Sequence, residues 1–544
     1  MSFIMSKSRV AVNVREGRLI GIVEEGCCGS YVAFKGIPYA KPPVGDLRFK
    51  DPVPAEPWSG DRDASKYGNV CIQVDFVTNT IIGDEDCLYL NVYTTDIKPP
   101  KKRAVMVWIH GGGFFCGEST STFFGPDYIV PKDVVLVTLN YRLGALGFLN
   151  LYDKVATGNQ GLKDMTLALR WVRDNISQFG GDSENVTIFG ESAGGAAVHF
   201  LALSPFTKGL FHKAISQSGV VLNSWAWTEQ TNDKTFEFVA KLGKETSDPK
   251  VAYEFLKTTD VKELVTVYQK DFFKKENSHV ANLMFTPSMD AESSNPFFPE
   301  PIQNYINRGV KVPFMLGFTK EEGIFLVDSN FMGNFTKEDF EKTNADFKTI
   351  VHPTILSEIA KIPMTVEELR SLYFGDKPVS EENLSNLIDY FTDMVFVRGT
   401  MKTTEIQAKL KSNNTYLYRF SYASEKPTVL RAAMKTTIKG GTSHAEDICF
   451  LFSSDVLDKF GLSAPTPGSN DYKMIEYMTD LWTNFSKTGN PTPATTKKTP
   501  VTWTPLKNED VYDYLDITID PQMKTFHKGQ ERWDWETRKN KLRN

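Results

Sequence analysis

The chain has 544 residues, 41% apolar and 24% charged, with 67 acidic against 62 basic side chains and a net charge of −5. That composition excludes a disordered chain, and the interspersed charges exclude a basic nucleic-acid footprint. No stretch is apolar for long enough to span a membrane, and no low-complexity tract or fixed period divides the chain, so one elaborated domain over 1–544 is expected.

In chain order, Met1–Val10 holds only a short apolar run and lacks the sustained apolar core of a secretory signal. This predicts a cytoplasmic protein, with secretion the alternative that the sequons at Asn334 and Asn484 would suit. The six cysteines, Cys27, Cys28, Cys71, Cys87, Cys116 and Cys449, form no C-x-x-C pair and no zinc-type spacing with histidine, so no metal is expected. Cys71 and Cys87 could close a short loop, although a reducing cytosol would oppose the bond. Their state stays open.

Apolar runs of strand type follow at 105–110, 134–140, 186–189, 213–216, 312–317 and 416–420. Residues 163–179 repeat apolar side chains at helical intervals and stop at Gly180 and Gly181, as a crossover helix does. Buried strands alternating with helices predict an α/β fold, a mainly parallel sheet covered on both faces with reactive groups at the strand ends. From about Thr228 to Arg308 the chain is polar, helix-forming and longer than a crossover needs, which predicts an inserted helical cap. Such a cap either walls a gorge above the strand ends or lies at the periphery.

Gly190-Glu191-Ser192-Ala193-Gly194 stands between the strand candidate ending at Phe189 and a helix candidate beginning at Gly195. A G-x-S-x-G pentapeptide there is a nucleophile elbow, whose glycines let the backbone turn sharply and expose the serine. The bland reading is a glycine-rich turn whose serine only caps the helix. A serine nucleophile needs an imidazole base and a carboxylate to orient it. His444, in the turn-rich segment Gly440–Asp447, is the candidate base, because His199 and His212 come too early for the order serine, acid, histidine. Glu322, after the strand candidate at 312–317, is the candidate acid; Glu321 competes closely and Asp447 more weakly. His110-Gly111-Gly112-Gly113-Phe114 follows the strand at 105–110 and has the form of an oxyanion loop, with amides at Gly112, Gly113 and Ala193 as donors.

These residues resemble the carboxylesterase and cholinesterase family of α/β-hydrolases, most closely its insect α-esterase type. The similarity runs from Phe34–Phe49 through Glu85–Val92, His110–Phe114, Asn140–Gly144, Phe189–Gly194, Lys320–Gly323 and Ser443–Asp447 to Phe485–Pro491, nearly the whole chain. It implies an α/β-hydrolase fold with Ser192 as nucleophile, Glu322 rather than Glu321 as acid, His444 as base and Gly112, Gly113 and Ala193 as oxyanion hole. It also implies Trp225 in the acyl pocket and Ser218 as a buried hydroxyl near the acid. The expected activity is hydrolysis of small hydrophobic carboxylic esters without a cofactor, with organophosphates as inhibitors; slow-turnover scavenging of insecticides is the alternative. No tryptophan lies between Cys71 and Cys87, which speaks against choline esters, and Glu191 stands where juvenile hormone esterases usually carry glutamine. The sequence does not reveal the oligomeric state.

Overall fold

Val105, Val107 and Ile109 face one apolar cluster while Met106 and Trp108 between them face another, and all five are fully buried. A strand covered on both faces requires this two-sided apolarity, and it sets the architecture around it. The computed structural model describes residues 8–227, 233–272, 274, 279–362, 364–410 and 414–541. Residues 1–7, which carry most of the N-terminal reading, the start of the inserted region at 228–232 and the last residues 542–544 lie outside the described set.

Among the described residues the main sheet has 13 strands. They are β1 (Arg9–Val14), β2 (Gly17–Gly26), β3 (Gly29–Pro38), β4 (Asp61–Asp63), β5 (Tyr89–Thr94), β6 (Arg103–Ile109) and β7 (Val135–Leu139). There follow β8 (Gly181–Glu191), β9 (Lys213–Gln217), β10 (Phe314–Thr319), β11 (Thr415–Phe420), β12 (Val511–Ile517) and β13 (Gln522–His527). Their order is β1-β2-β3-β5-β7-β6-β8-β9-β10-β11-β12-β13, with β4 alongside β2. From β7 to β12 every pairing is parallel, and antiparallel strands close both edges. This is the α/β-hydrolase fold expected, a large mostly parallel sheet with helices around it.

The crossover helix runs Gln160–Asn175 and continues as a 3-10 turn over Ile176–Phe179, closed by Gly180 at φ 80. It begins earlier than the periodicity implied, because Asn159 at φ 64 turns the chain into it. Between β9 and β10 lie the helices Asp233–Lys241, Pro249–Thr258, Val261–Phe272 and Ile302–Arg308. A second excursion, not foreseen from the sequence, separates β10 from β11 and carries helices from Ile324–Val327 to Arg398–Leu410. Capping boxes at Thr336 with Asp339 and at Thr365 with Glu368 start two of its helices. Cys71 and Cys87 are joined by a disulfide, which resolves the pair left open above.

Candidate active site

Three neighbouring parallel strands, β8, β9 and β10, end at Glu191, Gln217 and Thr319, and the residues just beyond them build the site. Ser192 follows β8 at φ 59 and ψ −125 and precedes the helix Ala193–Leu203. That conformation is costly for a side-chain-bearing residue and persists only where the surroundings fix it. Here they do: Ser192 N–H donates to Gln217 O at 2.8 Å, and Ser192 O accepts Ala196 N–H at 2.9 Å. Gly194 is needed for the same turn, since a Cβ there would lie 2.0 Å from Ile109 O.

Glu322 is fully buried just past β10. Its Oε1 accepts Thr319 N–H at 2.7 Å and the Ser218 hydroxyl at 2.6 Å, while its Oε2 lies 2.5 Å from His444 Nδ1. Both lobes of the carboxylate are thus spoken for, and one of them faces the imidazole. His444 comes from a turn-rich segment, as expected, but the helix Val429–Ala433 separates it from β11. Its ring is covered by Phe396 at 4.4 Å and Phe325 at 5.0 Å between centroids. The other competitors for the acid role point elsewhere. Glu321 accepts Thr442 N–H at 2.8 Å and pairs with Lys320, and Asp447 accepts Gln217 Nε2 at 2.9 Å and Tyr418 OH at 3.0 Å.

A second carboxylate reaches the imidazole: Glu191 Oε1 lies 3.1 Å from His444 Nε2. Burial pulls His444 towards the neutral form, but the charges of Glu191 and Glu322 outweigh it and push its pKa up to about 9. Burial pushes Glu191 up to about 8, against the pull of His444. Each group favours the charged form of the other across this contact. Nothing in the sequence reading anticipated this contact. The adjacency of Glu191 to Ser192 was the available signal, since a strand-end residue beside the candidate nucleophile lies close to whatever would serve it.

Gly112 at φ 100 and Gly113 at φ 59 follow β6 and line a cavity together with Ser192, Trp225 and His444. Ala193 opens its helix, so its N–H has no intrahelical partner. The cavity has a volume of about 130 Å³ and opens to solvent. Its walls are mainly apolar and carry many aromatic rings, Phe76 from the disulfide loop, Phe115, Phe123, Phe331 and Phe396 among them. The first inserted region contributes Phe272, Ala281 and Leu283, and the unforeseen second one contributes Phe325, Leu326, Phe331, Met332, Val395 and Phe396. Trp225 is buried, and its Nε1 donates to Val395 O at 2.9 Å. Of the residues singled out in the sequence, Ser192, His444, Gly112, Gly113 and Trp225 line this cavity, and Glu322 reaches it through His444. No described helix is long and apolar enough to cross a membrane.

The model of the carboxylesterase family matches residues 8–534. A juvenile hormone esterase of Tribolium castaneum is 34% identical over 508 residues, covering 89% of this chain and 84% of that one. Esterase E4 of Myzus persicae is 33% identical over 535 residues, 96% of this chain and 93% of that one. Among solved structures, juvenile hormone esterase from Manduca sexta, with OTFP covalently attached, superposes with a TM-score of 0.83 at 28% identity, over 99% of this chain and 100% of that one.

Proposed function

As this chain belongs to the carboxylesterase family and is a carboxylic-ester hydrolase, we propose that Ser192 performs the reaction through an acyl-enzyme on small hydrophobic esters. The observation that carries this reading is the 2.5 Å contact of Glu322 Oε2 with Nδ1 of His444, which lines the same cavity as Ser192. Held at Nδ1, the imidazole keeps its basic Nε2 directed into the cavity. His444 takes the Ser192 proton as the hydroxyl oxygen attacks the ester carbonyl. The amides of Gly112, Gly113 and Ala193 receive the charge that develops on the carbonyl oxygen. His444 then returns its proton to the departing alkoxide, and the alcohol leaves. A water deprotonated by the same imidazole attacks the acyl carbon and frees the acid and Ser192. No cofactor takes part in these steps.

The aromatic walls favour apolar acyl and alcohol groups, and relatives bearing the names of different esterases support a substrate class rather than a single ester. Metabolism of xenobiotic or lipid-derived esters fits that class, and organophosphates, which phosphorylate the same serine, fit as inhibitors. The Cys71–Cys87 bond supports an oxidising location, and so secretion over the cytoplasmic expectation. A second reading, capture of organophosphates or pyrethroids with slow release, uses the same attack by Ser192 and differs in the rate at which the adduct is freed.

Rapid mixing with a 4-nitrophenyl ester separates the two. An esterase gives a burst of phenol equal to the enzyme, then steady turnover, and neither with Ser192→Ala. A burst without turnover, across several esters, favours capture. Release unaffected by Ser192→Ala rejects the proposed nucleophile.

A further inference from the structure

Between the helices Leu384–Phe391 and Arg398–Leu410 the chain forms a π turn, Thr392–Val397, buried along its whole length. The wider register, seen in the bond from Arg398 N–H to Asp393 O, leaves nearby carbonyls in need of donors from elsewhere. Two of those carbonyls meet one side chain. Asn223 Nδ2 donates to Val395 O at 2.9 Å and to Phe396 O at 2.8 Å, and its Oδ1 accepts Val220 N–H at 2.7 Å. Trp225 Nε1 supplies a second donor to Val395 O at 2.9 Å, and the Thr400 hydroxyl a second to Phe396 O at 3.0 Å. The approach leaves no slack, because a Cβ on Gly399 would lie 2.6 Å from Asn223 N and 2.7 Å from Nδ2.

The turn so held bears on the site from three sides. Val395 and Phe396 are walls of the cavity. The Phe396 ring covers His444 and stands 6.1 Å from Trp225. Thr392 Oγ1 accepts the N–H of Gly323, next to Glu322, at 2.9 Å. We propose that Asn223 is a positioning residue that sets the acyl-length selectivity of the enzyme. Its amide pins the π turn, so that Val395 and Phe396 close the acyl side of the cavity against Trp225 at a fixed depth. Asn223 itself touches no substrate and acts through those two walls. The proposal rests on the esterase reading of Ser192.

The test compares kcat/KM for 4-nitrophenyl hexanoate and acetate, counted per active site by the phenol burst. Asn223→Ala removes the amide, and Asn223→Asp keeps its volume but sets a carboxylate against two carbonyl oxygens. In both, the wall recedes and the hexanoate-to-acetate ratio rises by roughly tenfold, the scale of a pocket changed by one methylene. General destabilisation would lower the number of active sites and leave the ratio per site unchanged. Should either variant fail to fold, Thr400→Val removes the other donor to Phe396 O at nearly constant volume and shifts the ratio the same way by a smaller factor. An unchanged ratio in the folded variants overturns the proposal. A wild-type protein that hydrolyses neither ester removes the esterase premise and the proposal with it, an outcome distinct from unchanged selectivity.

Discussion

At His444 two carboxylates compete for one imidazole. Glu322 faces Nδ1, and Glu191 faces Nε2, where the proposed mechanism brings the serine proton. The second contact has a pH signature whose sign is determined. His444 must be neutral to take the Ser192 proton, so kcat/KM rises with pH through the histidine pKa. Negative charge on Glu191 favours the imidazolium and moves that rise to higher pH, in line with a pKa pushed up to about 9. Glu191→Gln removes the charge while keeping the shape, and the rise moves to lower pH by about one to two units. Profiles of kcat/KM against pH for wild type and Glu191→Gln check this; an unmoved rise, or one displaced to higher pH, means that Glu191 does not act on the imidazole. Most of the residues at this scale were legible, because the elbow, the glycine loop and the acid before Gly323 are local patterns. Glu191 was not, because its position in the pentapeptide tolerates many residues and only the folded contact gives it a role.

The element that exposes Ser192 is a strand, a turn and a helix packed without spare room. β8 pairs with β6 on one side and β9 on the other, and the helix Ala193–Leu203 starts against both. At Gly194 the carbonyls of Ile109 and His110 occupy the space a side chain would take. Gly194→Ala must therefore push the helix start away from β6, costing about 1–3 kcal/mol of stability, the usual price of overpacking. The same displacement moves Ser192 from its neighbours, and a shift of this size lowers kcat by roughly 100-fold per folded enzyme. Thermal unfolding and active-site-normalised turnover measure the two effects. A variant matching wild type in both shows that the turn has freedom the geometry denies it. The strands were legible from their apolar runs, since burial on both faces leaves little else in them. The π turn was not: Thr392–Val397 reads as ordinary helix, and the donors that meet its carbonyls, Asn223 and Trp225, lie far away in sequence.

For the whole molecule, the parallel order of β8, β9 and β10 is what lets residues remote in sequence meet. Glu322 is carried to the end of the sheet beside Ser218, and a long return through the second excursion and β11 brings His444 to it. That excursion went unread because its helices are separated by short polar turns that resemble surface loops, although the capping boxes at Thr336 and Thr365 marked two of its starts. The consequence was an incomplete picture of the cavity, whose aromatic walls come as much from 324–396 as from the expected cap. The disulfide between Cys71 and Cys87 could not be settled by spacing either; its loop adds Gln73, Asp75 and Phe76 to the same cavity. All of these parts converge on Ser192, the proposed nucleophile. Reaction with a dialkyl fluorophosphate, followed by intact-mass and peptide mass spectrometry, examines that convergence directly. The expected result is one phosphoryl adduct per chain on the peptide containing Ser192, formed together with loss of esterase activity, absent in Ser192→Ala and strongly slowed in His444→Ala. Inactivation with the adduct on another residue, or ester hydrolysis that survives Ser192→Ala, would contradict the assignment of Ser192 as the nucleophile.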